Sequence, residues 1–286
     1  MAIGSGNTIL ASDYNTIQSR VATILGAGSG DKGYGQAVSS SQVSAGNNIT
    51  AAHMQNLKSD LDKLAYHQSN AQSSAPAVSV GGTITAANWS TYDSQSTTLD
   101  SNRFNIAAEQ ATLTTGVSPT ITSGTWNNNR THIVSVSFGS ADQARYFFNA
   151  GGEIRISPTI SGYSSSTTKG GRWNNLFTTA GSIRFRAYNT TASGGSASAV
   201  GWYNLSGTQQ IFSIVDTGTY TNNDLTITAS KSSTVLTLNI QYNDDGSTGN
   251  IDEYVDGTLT STVSHYRATG SYVSVTGPTI STTQAP

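Results

Sequence analysis

The first hundred residues of the chain have apolar positions at the three- and four-residue spacing of helices. This spacing predicts helices from Ser12 to Leu25, from Thr50 to about His67 and from Thr85 to about Leu99. A Ser or Thr stands at each start, where its hydroxyl can cap free backbone N–H groups. Short amphipathic helices do not bury their apolar faces alone. We therefore expect them to pack on one another, on the rest of the chain or on another subunit.

A weak repeat marks these helix starts. Its copies begin at Ile9, Ile49 and Ile84 and read Ile-x-Ala-small, followed by two large apolar residues at helical spacing. We interpret the apolar side chains of this region as assembly contacts. They are Tyr14, Ile17, Val21, Tyr34, Met54, Leu57, Leu61, Leu64 and Trp89.

The connection between the first two helices, residues 26–48, is too rich in Gly and Ser to continue a helix. Tyr34 and Val43 are its main apolar anchors. It is either a flexible loop or an arm that docks along a neighbouring subunit. Residues 69–82 are read as a linker, and residues 1–110 as a whole as a small α-helical docking region.

From about Thr112 the pattern changes to strict alternation of apolar and polar residues, with Gly and Asp turns between the runs. Alternation of period two predicts antiparallel strands with one buried face. Residues 111–286 are therefore predicted as an antiparallel β-sandwich, jelly-roll-like in its many short strands, and the whole chain as mainly β. The clearest runs are Val134–Phe138, Ile183–Ala187, Leu225–Ala229, Leu236–Tyr242 and Val273–Val275.

Residues 144–156, ARYFFNAGGEIRI, interrupt this pattern with three adjacent aromatic residues. We interpret them as a large apolar anchor, followed by a reversal at Gly151 and Gly152 and then by the next strand. Glycine adopts the positive φ angles of such a reversal without a Cβ clash.

Composition narrows the class of protein. Only 10% of residues are charged, the net charge is −2 and the basic residues are scattered, so no nucleic-acid partner is expected. Cysteine is absent, which excludes disulfides and cysteine-bound zinc and suits a chain made in a reducing cytosol. We expect neither a secretory signal nor a membrane span, because no apolar run approaches the roughly 18 residues that a span requires.

Candidate chemistry is sparse. The four histidines are not spaced as metal ligands, and no nucleophile elbow or phosphate-binding loop is present, so we predict no enzyme activity and no cofactor. A weak calcium candidate consists of Asp244, Asp245, Asp252 and Glu253, with a solvated hairpin turn as the alternative.

Aromatic residues flanked by Asn and Arg have the composition of sugar-binding surfaces. Trp126, Trp173 and Trp202 are the candidate glycan contacts, and Tyr163, Tyr188 and Tyr203 are further exposed-aromatic candidates. The alternative is that these rings are core or subunit contacts.

Several of these segments resemble structural proteins of tailed-phage virions, especially of myoviruses that infect cyanobacteria and marine bacteria. Besides ARYFFNAGGEIRI, the resemblance rests on five segments. They are GDKGYGQ (30–36), ITAAHMQNL (49–57), RWNNLF (172–177), VGWYNL (200–205) and IDEYVDG (251–257).

The resemblance implies a non-enzymatic component of the neck, tail, baseplate or fibres, made in the host cytoplasm and located in the virion. Its expected partners are copies of itself in a symmetric oligomer and other virion proteins, with residues 1–110 attaching and 111–286 exposed. One alternative is a fibre that binds a host glycan or receptor, or a capsid-decoration protein. Another is a secreted polysaccharide-degrading enzyme. The resemblance carries over no catalytic residues.

Overall fold

The computed structural model describes residues 8–122, 126–245, 252 and 254–284. It contains 28% helix and 28% strand. The chain is therefore mixed rather than mainly β, because two helices lie in the region that was read as strands alone.

Five α-helices and one short 3-10 turn occur within the described residues. They are α1 (Ala11–Leu25), α2 (Ala51–Ser69), α3 (Ala86–Ser101), α4 (Ala141–Asn149) and α5 (Lys169–Ala180), with the 3-10 turn at Ala108–Gln110.

Twelve strands occur within the same residues. They are β1 (Ala111–Val117), β2 (Thr120–Ile121), β3 (Arg130–Ser137), β4 (Glu153–Ser161), β5 (Ile183–Phe185), β6 (Thr190–Thr191), β7 (Ser196–Ala197), β8 (Gln209–Val215), β9 (Asp224–Lys231), β10 (Val235–Asn243), β11 (Thr258–Ala268) and β12 (Thr279–Gln284).

The chain forms two compact units. Unit one contains the described residues up to Thr112 together with Arg145–Gly152 and Arg267–Thr276. Unit two contains Leu113–Ala144, Glu153–Tyr266 and the described residues from Gly277 onward. Each unit is thus assembled from three separate stretches of sequence.

Unit one is built on α1, α2 and α3, which contact one another, the first of the three arrangements expected for them. Thr50 and Thr85 cap α2 and α3, each accepting a hydrogen bond from a backbone N–H three residues on. The expected cap at Ser12 is wrong: α1 begins at Ala11, and Asp13 instead accepts a hydrogen bond from the N–H of Leu10.

The side chains that were predicted as assembly contacts form the core of unit one. None of them is more than 2% exposed, so in this structure they meet one another rather than a partner. They are Tyr14, Ile17, Val21, Tyr34, Met54, Leu57, Leu61, Leu64 and Trp89.

The Gly/Ser-rich connection of residues 26–48 is held against the same helices. The Tyr34 hydroxyl donates to the carbonyl of Arg103, and the N–H of Val43 donates to Asn15 on α1. The N–H groups of Ser39 and Ser40 donate to Asp60 on α2. Tyr34 and Val43 therefore anchor the connection to other residues of unit one.

Residues 141–149 form helix α4, which was not predicted. Its second half belongs to unit one, where the Arg145 guanidinium donates to the carbonyls of Ala27 and Lys32 at 2.8 and 2.6 Å. The expected reversal and following strand are confirmed, because Gly151 has a φ of +77° and β4 begins at Glu153.

Unit two contains two sheets of six strands each within the described chain. The first has the order β1-β11-β4-β5-β6 with β2 also on β11, and the second has the order β12-β3-β10-β9-β8-β7. Antiparallel strands are confirmed for the alternating runs at Val134, Ile183, Leu225 and Leu236. The strand predicted at Val273–Val275 is wrong, because that segment lies in unit one and makes only an isolated bridge from Ser274 to Thr269.

The inner faces of the two sheets meet at Ser261 on β11. Its hydroxyl lies 2.7 Å from Nδ1 of His132 on β3 and also hydrogen-bonds to the Tyr242 hydroxyl on β10. All three residues are fully buried.

Candidate functional site

Polar groups surround the amino end of α5 in unit two. Thr168 caps the helix by accepting a hydrogen bond from the N–H of Gly171. The Asp256 carboxylate accepts hydrogen bonds from the N–H groups of Ser164 and Gly170 and from the Thr168 hydroxyl. Burial raises the pKa of Asp256, but these hydrogen bonds outweigh it and leave the pKa below its usual value.

A buried ion pair lies next to this cap. Nζ of Lys169 is 2.9 Å from Oδ2 of Asp244, and both side chains are at most 1% exposed. Asn223 donates to the other Asp244 oxygen at 2.8 Å. Burial raises the pKa of Asp244, and the Lys169 ammonium opposes that rise. The pair is closed to solvent and therefore has a structural role.

The calcium candidate does not assemble in the described part of the chain. Both oxygens of Asp244 are occupied as above, and Asp252 accepts from the N–H of Lys169 and from the Tyr220 hydroxyl. Asp245 accepts a hydrogen bond from Asn243, and Glu253 lies outside the described residues. Among described residues no three His, Asp or Glu side chains converge as metal ligands.

A recess of about 500 Å³ opens beside α5. Arg172 at its wall makes a two-point ion pair with Asp216, and this hydrogen bonding raises the pKa of Arg172. The guanidinium is therefore already engaged. The remaining lining is mostly small and uncharged: Asn175, Leu176, Thr179, Gly195, Ser196, Ser213, Ile214, Val215 and Thr217.

Ser261 and His132 have the spacing of a nucleophile and its base, since hydrolases activate serine through a hydrogen-bonded histidine. Both residues are 0% exposed, and burial lowers the pKa of His132. A buried hydroxyl between two sheets is inaccessible to a substrate, so the group joins the sheets and is not an active site.

The candidate glycan contacts are not a surface platform. Trp126 and Trp173 are 1% exposed and pack on each other with ring centres 5.5 Å apart. Trp202 is 6% exposed and packs edge-on against Phe138. The expectation of exposure is wrong for these three tryptophans because their rings fill the core of unit two. Tyr188, which packs on Tyr203, is 42% exposed.

Among the described strands, each sheet of unit two has a two-residue strand, β6 or β7, at one edge and a longer strand, β1 or β12, at the other, and the two-residue β2 also pairs with β11. Neither β1 nor β12 contains a charged residue or a proline. Side chains of β1 from Leu113 to Gly116 are exposed on both faces, and Leu113 is 52% exposed.

The two long edges lie beside each other. A Cβ placed on Gly116 of β1 would be 2.6 Å from Cβ of Ile280 on β12, so only glycine fits at this approach. Unit two thus has two uncharged edge strands that approach each other at Gly116 and Ile280, and we call this side of the unit its flank.

No helix in the described residues combines the length and the apolar character needed to cross a membrane. Comparison of the chain with family models, curated proteins and solved structures gave no match. The chemistry of the described side chains and the exposed strands is what indicates a function.

Proposed function

We propose that the chain is a non-enzymatic structural protein of a tailed-phage virion, located in the neck, tail, baseplate or fibres. Copies of the chain associate through the flank formed by β1 and β12. The observation that carries this proposal is the pair of long, uncharged edge strands on unit two.

A free strand edge presents unpaired backbone N–H and C=O groups to solvent. Monomeric proteins protect such edges by making them short or by placing charges and prolines on them. The edges at β6 and β7 are protected by their length of two residues, but β1 and β12 have neither protection. Strand addition by a second copy satisfies these groups, and closed symmetric assembly is the usual result.

Unit two is suited to this role if its sheets form a rigid body. We propose that they pack as an antiparallel sandwich of jelly-roll type, joined across the core by Ser261 with His132 and Tyr242. A sandwich keeps both edge strands in register with its core, so that a docked strand meets a preformed edge.

The virion location rests on the resemblance of six segments to structural phage proteins. In the structure two of these segments contact each other, since Asn149 donates to the carbonyl of Gly33, and Asp252 and Asp256 of a third accept hydrogen bonds from the backbone at the start of α5. These three segments thus contribute contacts that hold the fold together. The absence of cysteine, which leaves stability independent of redox state, also supports service in a particle.

The proposal of a non-enzymatic role is supported by the ion pairs and hydrogen bonds that the charged groups of unit two make. The buried Lys169 and the bidentate Arg172 are paired with carboxylates of unit two, and Asp256 is a helix cap. The polar groups at the start of α5 are therefore committed to hydrogen bonds that hold unit two together.

Immunogold electron microscopy of purified particles, with antibody raised against the full chain, tests the location. Gold on the neck, tail, baseplate or fibres supports the proposal. Gold over the capsid favours the decoration alternative. Particles that lack the chain by both immunogold and mass spectrometry overturn the virion assignment.

A further inference from the structure

Unit one contains a recess of about 370 Å³ on the exposed side of α2. This volume lies within the range of roughly 300–1,000 Å³ that is usual for small-molecule sites. Its walls are one face of α2, the segment 77–79 and Tyr272. The lining side chains are Gln55, Lys58, Ser59, Asp62, Tyr66, Gln72, Ala77, Val78, Ser79 and Tyr272.

Two tyrosines form an aromatic wall of this recess. The rings of Tyr66 and Tyr272 have centres 5.4 Å apart with planes inclined by 36°. Tyr272 is 46% exposed, so part of its ring is open to solvent. No described residue hydrogen-bonds to either phenolic hydroxyl. The wall thus offers an apolar ring surface together with two hydroxyl groups.

The rest of the lining is largely polar, and several of its side chains are held in place. Asp62 pairs with Lys58 at 2.6 Å and accepts hydrogen bonds from the N–H and hydroxyl of Ser73 at 3.1 and 2.7 Å. Gln55 donates to the carbonyl of Val78 and so fixes the segment 77–79 to α2. The Gln72 amide is exposed and makes no hydrogen bond to any described residue.

The charge balance of the recess selects the class of ligand. Lys58 and Asp62 neutralise each other, so a phosphate would meet the carboxylate and an organic cation would meet the ammonium. Amides, hydroxyls and a fixed ion pair match a neutral molecule with several hydroxyl groups, which both donate and accept hydrogen bonds. Aromatic rings match the C–H face of a pyranose.

From these observations we infer that the recess beside Tyr66 and Tyr272 binds a neutral saccharide of one or two rings. One sugar face stacks on Tyr272, and its hydroxyls bond to Asp62, Lys58 and Gln72. This site is distinct from the buried tryptophans of unit two. It does not depend on the virion location or on assembly through β1 and β12.

Saturation-transfer NMR on the full chain tests the inference. The probes are glucose, galactose, mannose, N-acetylglucosamine and their disaccharides. We expect transfer to the ring C–H protons of at least one of them, and absence of transfer to all of them overturns the inference. Inorganic phosphate and tetramethylammonium are charged competitors, and displacement of the sugar by either overturns the assignment to a neutral ligand.

Substitutions in the recess test whether the saccharide binds there. Tyr272→Ala should weaken binding about tenfold, whereas Tyr272→Phe should retain most of it because the ring remains. Tyr188→Ala is the matched control, since Tyr188 is also about half exposed and packs on a second tyrosine but lies outside the recess. Equal loss in Tyr188→Ala and Tyr272→Ala overturns the location. If Tyr272→Ala has a lowered unfolding midpoint, Gln72→Ala serves instead, and unchanged affinity in that variant overturns the assignment.

Discussion

Asn149 donates a hydrogen bond from Nδ2 to the carbonyl oxygen of Gly33 at 3.1 Å, across 116 positions of sequence. Asn149 ends α4 and is fully buried, and Gly33 lies in the Gly/Ser-rich connection of unit one. The contact joins two of the segments on which the proposed virion role rests. It explains how a stretch with few apolar residues is held in one conformation.

Asn149→Ala should lower the free energy of unfolding of unit one by about 1–3 kcal/mol, because the buried Gly33 carbonyl loses that donor. Asn48→Ala, at an exposed position of the same unit, should change it by less than about 0.5 kcal/mol. Urea titration followed by circular dichroism measures both. Equal effects would show that the hydrogen bond contributes nothing specific.

Gly35→Ala should destabilise unit one more than Gly30→Ala. Both glycines have positive φ, at +71° and +57°, so both variants carry backbone strain. Only at Gly35 does an added Cβ meet the Tyr146 ring, at 2.6 Å, whereas nothing lies within 4 Å of one at Gly30. We expect an additional loss of about 1–3 kcal/mol at Gly35, measured as the difference in urea unfolding.

Adding Tyr146→Ala to Gly35→Ala should restore part of that additional loss, since the clash is removed. Strict additivity of the two single variants would contradict this explanation and leave strain alone as the cause.

Lys169→Met should destabilise unit two by about 3–5 kcal/mol, because it leaves the Asp244 carboxylate buried without its counter-ion. Lys32→Met breaks a partly exposed pair with Asp100 and should lose no more than about 1 kcal/mol. Thermal unfolding of both variants gives the comparison. A loss at Lys169 as small as the loss at Lys32 would mean that Asp244 is readily neutralised when buried.

Stability should fall as the pH is lowered from about 6.5 to about 4. Burial lowers the pKa of His67 from 6.5 to about 4, so in this window the unfolded chain binds a proton that the folded chain does not. The full shift corresponds to roughly 3 kcal/mol at most. Urea midpoints of the wild type and His67→Phe from pH 7 to pH 4 measure it.

The variant should lose most of that pH dependence, apart from the contribution of His132, whose pKa burial also lowers. A variant with the full slope of the wild type would show that residue 67 does not carry the effect.

A charge on the exposed edge should prevent self-association. Thr114→Lys places an ammonium on β1, where it must be desolvated when a second strand pairs. Asn239→Lys adds the same charge to the exposed face of the central strand β10 and should leave association unchanged. Sedimentation velocity measures the oligomer. A wild-type chain that remains monomeric at all concentrations, or equal effects of the two variants, would contradict assembly through β1.

Sequence patterns predicted the elements whose apolar spacing is regular. Helices α1 to α3 and the strands at Val134, Ile183, Leu225 and Leu236 are of this kind. Helix α5 was missed because its sequence contains two glycines and two asparagines, which are poor helix formers. Its start is stabilised by Asp252 and Asp256, more than 80 positions away. The local pattern of apolar and polar residues gives no sign of such long-range contacts.

The candidate sites were harder to predict because they too depend on contacts between positions that are far apart in the sequence. The residues around Trp126 and Trp173 have the composition of a sugar-binding rim, yet both rings are buried against each other. The recess in unit one brings Tyr66 of α2 together with Tyr272, which lies on a distant segment of sequence. No spacing rule connects two such positions, so the fold alone places them side by side.

Because each unit contains segments from distant parts of the chain, the order of translation decides when each unit is complete. Helices α1 to α3 leave the ribosome first, but their unit also needs residues 145–152 and 267–276. The edge strand β12 is translated later still. Until residues 267–276 are translated, unit one therefore lacks one of its segments. The flank that we propose for association also stays incomplete until β12 is translated, so only chains that extend past β12 contain both of its edge strands.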